Sequence, residues 1–158
     1  MASSVITSGS AVGSTSGTSI DFTGIPSWVK RITVMFSGVS TSGTSPFLIQ
    51  IGSGSVDATG YISTSCGVVD AGAVGSNSST AGFIIRSVFA ANVCSGSLTL
   101  TNISGNIWTS SHVAKMNTNT CVLGGGDKSL SGTLDRVLIT TVNGTDTFDA
   151  GSINILYE

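Results

Sequence analysis

His112 is the only histidine in this 158-residue chain, and it sets the first limit on what chemistry is available. A multi-histidine metal site is impossible, and a Ser–His–Asp relay would have to be built on this residue alone. Two-residue alternation places it on one strand face with Trp108 and Ser110, and no Gly-x-Ser-x-Gly elbow accompanies it. A satisfied or exposed strand histidine is the expectation. Gly124-Gly125-Gly126-Asp127-Lys128-Ser129 has the composition of a phosphate loop, whose amides cradle phosphates while the lysine reaches the outer ones. Asp127 stands where a glycine must precede the lysine, so a flexible loop entering a strand is expected instead. Asp146 and Asp149, in the stretch NGTDTFDAG, form the densest acidic cluster. With the Thr145 and Thr147 oxygens they could hold a hard cation such as calcium, or act as an acid–base pair on a glycan. Calcium needs further ligands and EF-hand spacing is absent, so carboxylates closing Asx turns are the simpler reading. No catalytic residue and no cofactor are assigned.

Three cysteines, Cys66, Cys94 and Cys121, are odd in number and widely spaced, with no Cys-x-x-Cys. They are expected as small buried hydrophobes, the alternative being one disulfide and a free thiol. Asn77, Asn102 and Asn143 sit in Asn-x-Ser/Thr sequons that, without a secretory signal, are chance matches in a chain rich in Ser and Thr. Three aromatics are candidates for ligand or interface contacts: Trp28, Tyr61 and Trp108 could stack on sugars. Trp28, at the start of its strand, is expected first as a cap on the core, the alternative being a surface-exposed interaction anchor.

The elements that must position these groups are strands. Charged residues make up 9% of the chain against roughly 25% in ordinary soluble domains, so Ser, Thr, Asn and Gly must cover most of the surface. The hydrophobic fraction of 40%, in regular alternation, argues against disorder. A net charge of -2 with scattered Lys and Arg supplies no basic patch, so neither nucleic acid nor anionic lipid is expected as a partner. No apolar run approaches the ~20 residues of a membrane span, so no membrane insertion is expected. The first residues carry no basic or apolar signal segment, which points to a protein made in a cytosol.

Residues 1–17 read as a Ser/Gly-rich arm or edge strand with one apolar pair, Val5-Ile6, and residues 18–158 as a single domain. Within that domain, Ile20 and Phe22 alternate before a turn at Gly24-Ile25-Pro26-Ser27. Val29–Phe36 is the strongest strand, with Ile32, Val34 and Phe36 on one face. Gly38–Ser45 reads as a loop, then Phe47, Ile49 and Ile51 share a strand face, with Leu48 and Gln50 behind. Residues 52–60 form a long turn, Tyr61–Thr64 a short strand, and Cys66–Ala81 a long surface connection of the kind that carries binding function. Strands resume at Gly82–Val88, Ser97–Ile103 and Asn106–Ala114, the last two as a hairpin. Residues 115–127 read as loop, and the chain closes with two strands in Leu134–Glu158. In the first, Val137, Ile139 and Thr141 share a face. In the second, Ile153, Ile155 and Tyr157 do so after a break at Asp149-Ala150-Gly151, and the ending at Glu158 without a polar tail places this strand inside a sheet. About eight to ten short strands with turns between them and no helical period predict an all-β, antiparallel two-sheet sandwich, jelly-roll-like.

The phrases FTGIPSWVKRITVMFSGVSTSGTS (Phe22–Ser45), LTLTNISGNIWTSSHV (Leu98–Val113) and LDRVLITTVNGTDTFDAGSINILYE (Leu134–Glu158) resemble a module of tailed-bacteriophage virion proteins. That module occurs as the C-terminal domain of tail-fibre-like proteins and closes on the same FDAGSINILYE ending. The similarity runs from about Ile20 onward and is weakest over Cys66–Ala81. It implies a β-sandwich exposed on a phage particle, frequently a homotrimer, assembled in the host bacterial cytoplasm beside other virion proteins. No catalytic residues come with it. The chain departs from the usual arrangement in starting at its own Met1 with no stalk before the module. The leading expectation is a non-enzymatic virion structural protein of tail-fibre or receptor-binding type, acting by oligomeric assembly and loop-mediated attachment, with a host surface glycan as a candidate partner. A head decoration, or cement, protein on the capsid surface is the alternative, and a free-standing carbohydrate-binding module is the third.

Overall fold

The computed structural model describes residues 6–70 and 72–158, so Val5 of the expected Val5-Ile6 pair lies outside the described residues. In chain order the strands are β1 (Thr7–Ser8), β2 (Val12–Gly13), β3 (Ile20–Thr23), β4 (Arg31–Thr41), β5 (Phe47–Ser53), β6 (Ser55–Val56) and β7 (Tyr61–Val69). They continue with β8 (Val74–Ser79), β9 (Phe83–Ile85), β10 (Cys94–Ser104), β11 (Ile107–Lys115), β12 (Thr120–Ser129), β13 (Arg136–Thr141) and β14 (Phe148–Tyr157). Two antiparallel sheets pack face to face. The nine-stranded sheet runs β1-β14-β4-β10-β11-β12-β7-β8, with β2 also on β14. The five-stranded sheet runs β3-β13-β5-β6, with β9 also on β5.

Pairing is nested: β4 with β14, β5 with β13, β7 with β12 and β10 with β11. This is the rolled-up long hairpin of a jelly roll, with the innermost pair kept in the same sheet as the outermost. The core lies between the sheets, where inward positions alternate with solvent-facing ones. Ile32 and Val34 of β4 face Leu100 and Leu98 of β10 across the ladder, Phe36 faces Gly96, and Ile153 and Ile155 of β14 flank Phe36 and Val34 on the other side. In β5 both faces are buried, Leu48 and Gln50 as well as Phe47, Ile49 and Ile51, because the loop after β8 covers its outer side. No helix occurs among the described residues, and none long and apolar enough to cross a membrane.

The glycine- and serine-rich parts of the chain are strands, which corrects three expectations. Cys66–Ala81 is no surface connection: β7 runs on to Val69 and β8 pairs with it along its whole length. Residues 115–127 are largely β12, paired with β11 on one side and β7 on the other, so Gly124–Ser129 is ladder and not a flexible loop. Gly38–Ser45 is strand as far as Thr41, since Val39 and Thr41 continue the inward alternation of β4. The break at Asp149-Ala150-Gly151 is a β-bulge inside β14, seated against another irregularity at Gly38. Gly151 has φ +92°, and a Cβ there would lie 2.4 Å from the Gly38 carbonyl oxygen, so only glycine fits.

Residues 6–17 border the sheet as two short edge strands on β14, tied by Gly9 N–H to Ile155 O (2.8 Å) and by the buried Ser14 hydroxyl to Ala150 O (2.7 Å). β14 is thereby flanked on both edges, inside the sheet as expected.

Candidate functional site

Inward-facing positions near β7, β11 and β12 carry small and polar side chains in place of aliphatics. Ser63 and Ser65 of β7, Ser110 and His112 of β11, and Gly124 and Gly126 of β12 make up this stretch of the inner face. The bare glycines matter: a Cβ on Gly124 would stand 2.2 Å from Thr64 O and 2.6 Å from His112 Cε1. Here β9, from the other sheet, lies against the serines, with Ile84 N–H donating to Ser63 Oγ and Arg86 N–H to Ser65 Oγ, each at 3.0 Å.

His112 is buried in this seam, its Nε2 2.9 Å from Ser65 Oγ. Ser65 Oγ also accepts from Arg86 N–H, so this one hydroxyl joins the imidazole to the backbone that follows β9. Burial lowers the His112 pKa to about 4. The expected sharing of a face with Trp108 and Ser110 is what the strand shows. In place of a relay, His112 holds β11 to β7, and β7 in turn holds the opposite sheet. Ser110 Oγ is the one buried side-chain oxygen among the described residues with no hydrogen-bond partner.

The aromatic candidates separate. Tyr61 and Trp108 are 1% and 3% exposed, which corrects the expectation that they present ring faces to a ligand. Tyr61 packs edge-on against Phe83 with centroids 5.0 Å apart. Its hydroxyl accepts from Ile51 N–H at 2.8 Å and donates toward Asp57 O at 2.8 Å, and burial raises its pKa. Lys128, from the glycine-rich run, is buried beside it: Nζ donates to Thr59 O (2.8 Å) and pairs with Asp57 Oδ2 (2.6 Å), whose pKa the ammonium holds below the usual carboxylate value. This lysine therefore ties down the 54–60 turn and reaches no phosphate. Trp28 is 51% exposed and leans on Tyr157 at 6.0 Å, which corrects the expectation of a core cap and leaves it a surface aromatic.

The acidic pair is divided between local bonds. Asp146 accepts from Ser45 N–H (3.0 Å) and Asn143 Nδ2 (2.6 Å), while Asp149 accepts from the Ser40 hydroxyl. Among the described residues no cluster of three or more His, Cys, Asp or Glu could hold a metal ion. The cysteines are free and unlike one another: Cys94 is buried, with burial pushing its thiol up to about 12, whereas Cys66 is half-buried and Cys121 exposed on the outer face. Buried placement thus fails for Cys121.

The outer face of β8-β7-β12-β11 is where unexplained apolar surface collects. Val113 pairs across the ladder with Leu123, and Leu123 with Cys66; in the next row Val74 pairs with Val68 and Val68 with Cys121. Val74, Val113, Leu123 and Val68 are all exposed, at 77%, 62%, 45% and 42%. Contiguous exposed apolar side chains of this kind mark interaction surfaces. On the outer positions of these four strands the charged side chains are Lys115 and Asp127, of opposite sign. Sequence reasoning missed this patch because all of it except Val113 lies in stretches read as loop. The two-residue spacing of Cys66 with Val68, and of Cys121 with Leu123, was the signal available.

The chain matches no protein-family model, and a search of curated proteins finds no match.

Proposed function

We propose that the protein is a non-enzymatic structural protein of a virus particle, of the tail-fibre or receptor-binding type, that works by self-assembly and attachment. The observation that carries this reading is the apolar outer face of β7, β8, β11 and β12, formed by Val68, Val74, Val113 and Leu123. Its occupant is a second copy of this chain. The face bears one cation and one anion, so it presents no net charge to repel a second copy, and a homotrimer, whose copies meet around a threefold axis, is what the resemblance to phage fibre modules implies. Other virion proteins and a host surface glycan are the remaining partners in this reading, and the particle is assembled in the bacterial cytoplasm.

The test is mass in solution by size exclusion with light scattering. The wild type should run as a closed oligomer, and Val113→Asp with Leu123→Asp should give a folded monomer, because both side chains are exposed and neither supports the core. A wild-type monomer, or a double variant with unchanged mass, overturns the assembly reading. Labelling of intact particles then separates a tail location from a capsid one.

A further inference from the structure

Arg86 follows β9, and beyond its backbone bond to Ser65 its side chain reaches across the inner face of the β7–β8 hairpin. Two glycines that are register partners, Gly67 and Gly75, leave the hairpin bare beneath it. A Cβ on Gly75 would stand 2.5 Å from Arg86 Nη2 and 2.9 Å from Cζ, and one on Gly67 3.3 Å from Cδ. The guanidinium therefore lies flat in a slot that any larger residue would fill. Nη1 donates to Asn77 Oδ1, and the backbone N–H of Arg86 is fixed by Ser65 Oγ at 3.0 Å. The side chain is thus anchored at both ends.

Its charge is not answered. The ion pairs among the described residues are Arg31–Glu158, Lys128–Asp57 and Arg136–Asp135, and no carboxylate reaches Arg86. Nε and Nη2, one edge of the fork, donate to no acceptor among the described residues. A half-buried, positioned guanidinium with a free edge suits bidentate recognition of a carboxylate. The space beside it is a cavity of about 210 Å³ whose walls include Val69, Val74, Val88, Phe89 and Asn92. Phe89 is 64% exposed at its rim, and Asn92 is buried. That volume is below the roughly 300–1,000 Å³ of drug-sized sites, so it admits one small ring and not an extended chain.

We infer that this slot binds the carboxylate of an acidic sugar, the acid on the Nε/Nη2 edge of Arg86 and the ring against Phe89. The inference deepens the attachment reading by naming the receptor chemistry, and it rests on that reading only for the origin of the sugar. Binding is measured on the purified chain, so a failure of self-assembly leaves it standing and a failure to bind acids leaves the assembly reading standing.

The probes are N-acetylneuraminate and glucuronate, with glucose as the uncharged control, titrated at constant ionic strength and followed by amide and Arg Nε–H chemical shifts. Saturable shifts at Phe89, Asn92 and the Arg86 Nε–H with at least one acid, absent with glucose, are expected at millimolar concentrations. Arg86→Gln should weaken this binding by about tenfold or more. Gly75→Ala, which displaces the guanidinium, should do the same. Arg86→Lys, which keeps the charge and loses the fork, should recover only part of the affinity, with circular dichroism unchanged in each folded variant. The inference is overturned if neither acid gives saturable shifts, if glucose binds equally well, or if Arg86→Gln binds as the wild type does. It is also overturned if Arg86→Gln changes the oligomeric state while no acid binds, since the guanidinium then serves a contact between copies.

Discussion

His112, the one histidine, makes stability depend on pH between its unfolded and folded pKa values. Its pKa falls from 6.5 in the unfolded chain to about 4 in the folded one, because the inter-sheet seam desolvates the imidazolium. Between these two values the unfolded chain binds more protons, so stability is full above pH 6.5 and declines as pH falls toward 4. From the two values, the loss is about 2 kcal/mol at pH 5 and about 3 kcal/mol at pH 4, relative to neutral pH. Urea unfolding of the wild type and of His112→Gln at pH 7, 5 and 4 isolates the effect as a difference of differences. Asp57 and Asp135 also have lowered pKa values, so their stabilisation is present above the unfolded value of 3.8 and is lost below it, equally in both proteins. With one histidine in the chain, its ring protons report the folded pKa directly by NMR. Equal pH dependence in the two proteins, or an imidazole titrating near 6.5, would refute the placement of His112 in a dry seam.

Gly124→Ala should cost about 1–3 kcal/mol in chemical denaturation, because the new methyl meets the Thr64 carbonyl and the His112 ring, neither of which can retreat. Ser110→Ala should be neutral or stabilising by the same assay, since the hydroxyl it removes is buried without a partner. Tyr61→Phe strips the acceptor from the buried Ile51 N–H and should cost about 1–3 kcal/mol, with Asp57 and its turn becoming more open to hydrogen exchange. Thiol labelling at neutral pH should modify Cys121 quickly and Cys94 only after unfolding, as their exposures differ and burial holds the Cys94 thiol near 12.

Alternation alone was enough to place the strongly aliphatic strands and their facings: Ile32/Val34/Phe36, Phe47/Ile49/Ile51, Val137/Ile139 and Ile153/Ile155 are all inward. It failed at β8 and β12, where Gly, Ser and Asn replace the aliphatics that make a strand visible. It also misjudged the aromatics, since a Trp after a turn and a Trp in a strand look alike in one dimension. The first, Trp28, turned out to lie on the surface and the second, Trp108, inside.

The sequence by itself determined the class of fold, because side chains that alternate between greasy and hydroxyl-bearing can be satisfied only by sheets with one dry face and one wet one. Which glycines are strand and which are turn, and that an arginine after β9 lies in a slot left by two glycines of another hairpin, were decided by tertiary structure alone. Glycine carries no side chain to mark a preferred face. Its role comes from what approaches it, and here the approaching groups, the His112 ring and the Arg86 guanidinium, come from a paired strand and from the segment after β9, not from the glycines' own strands.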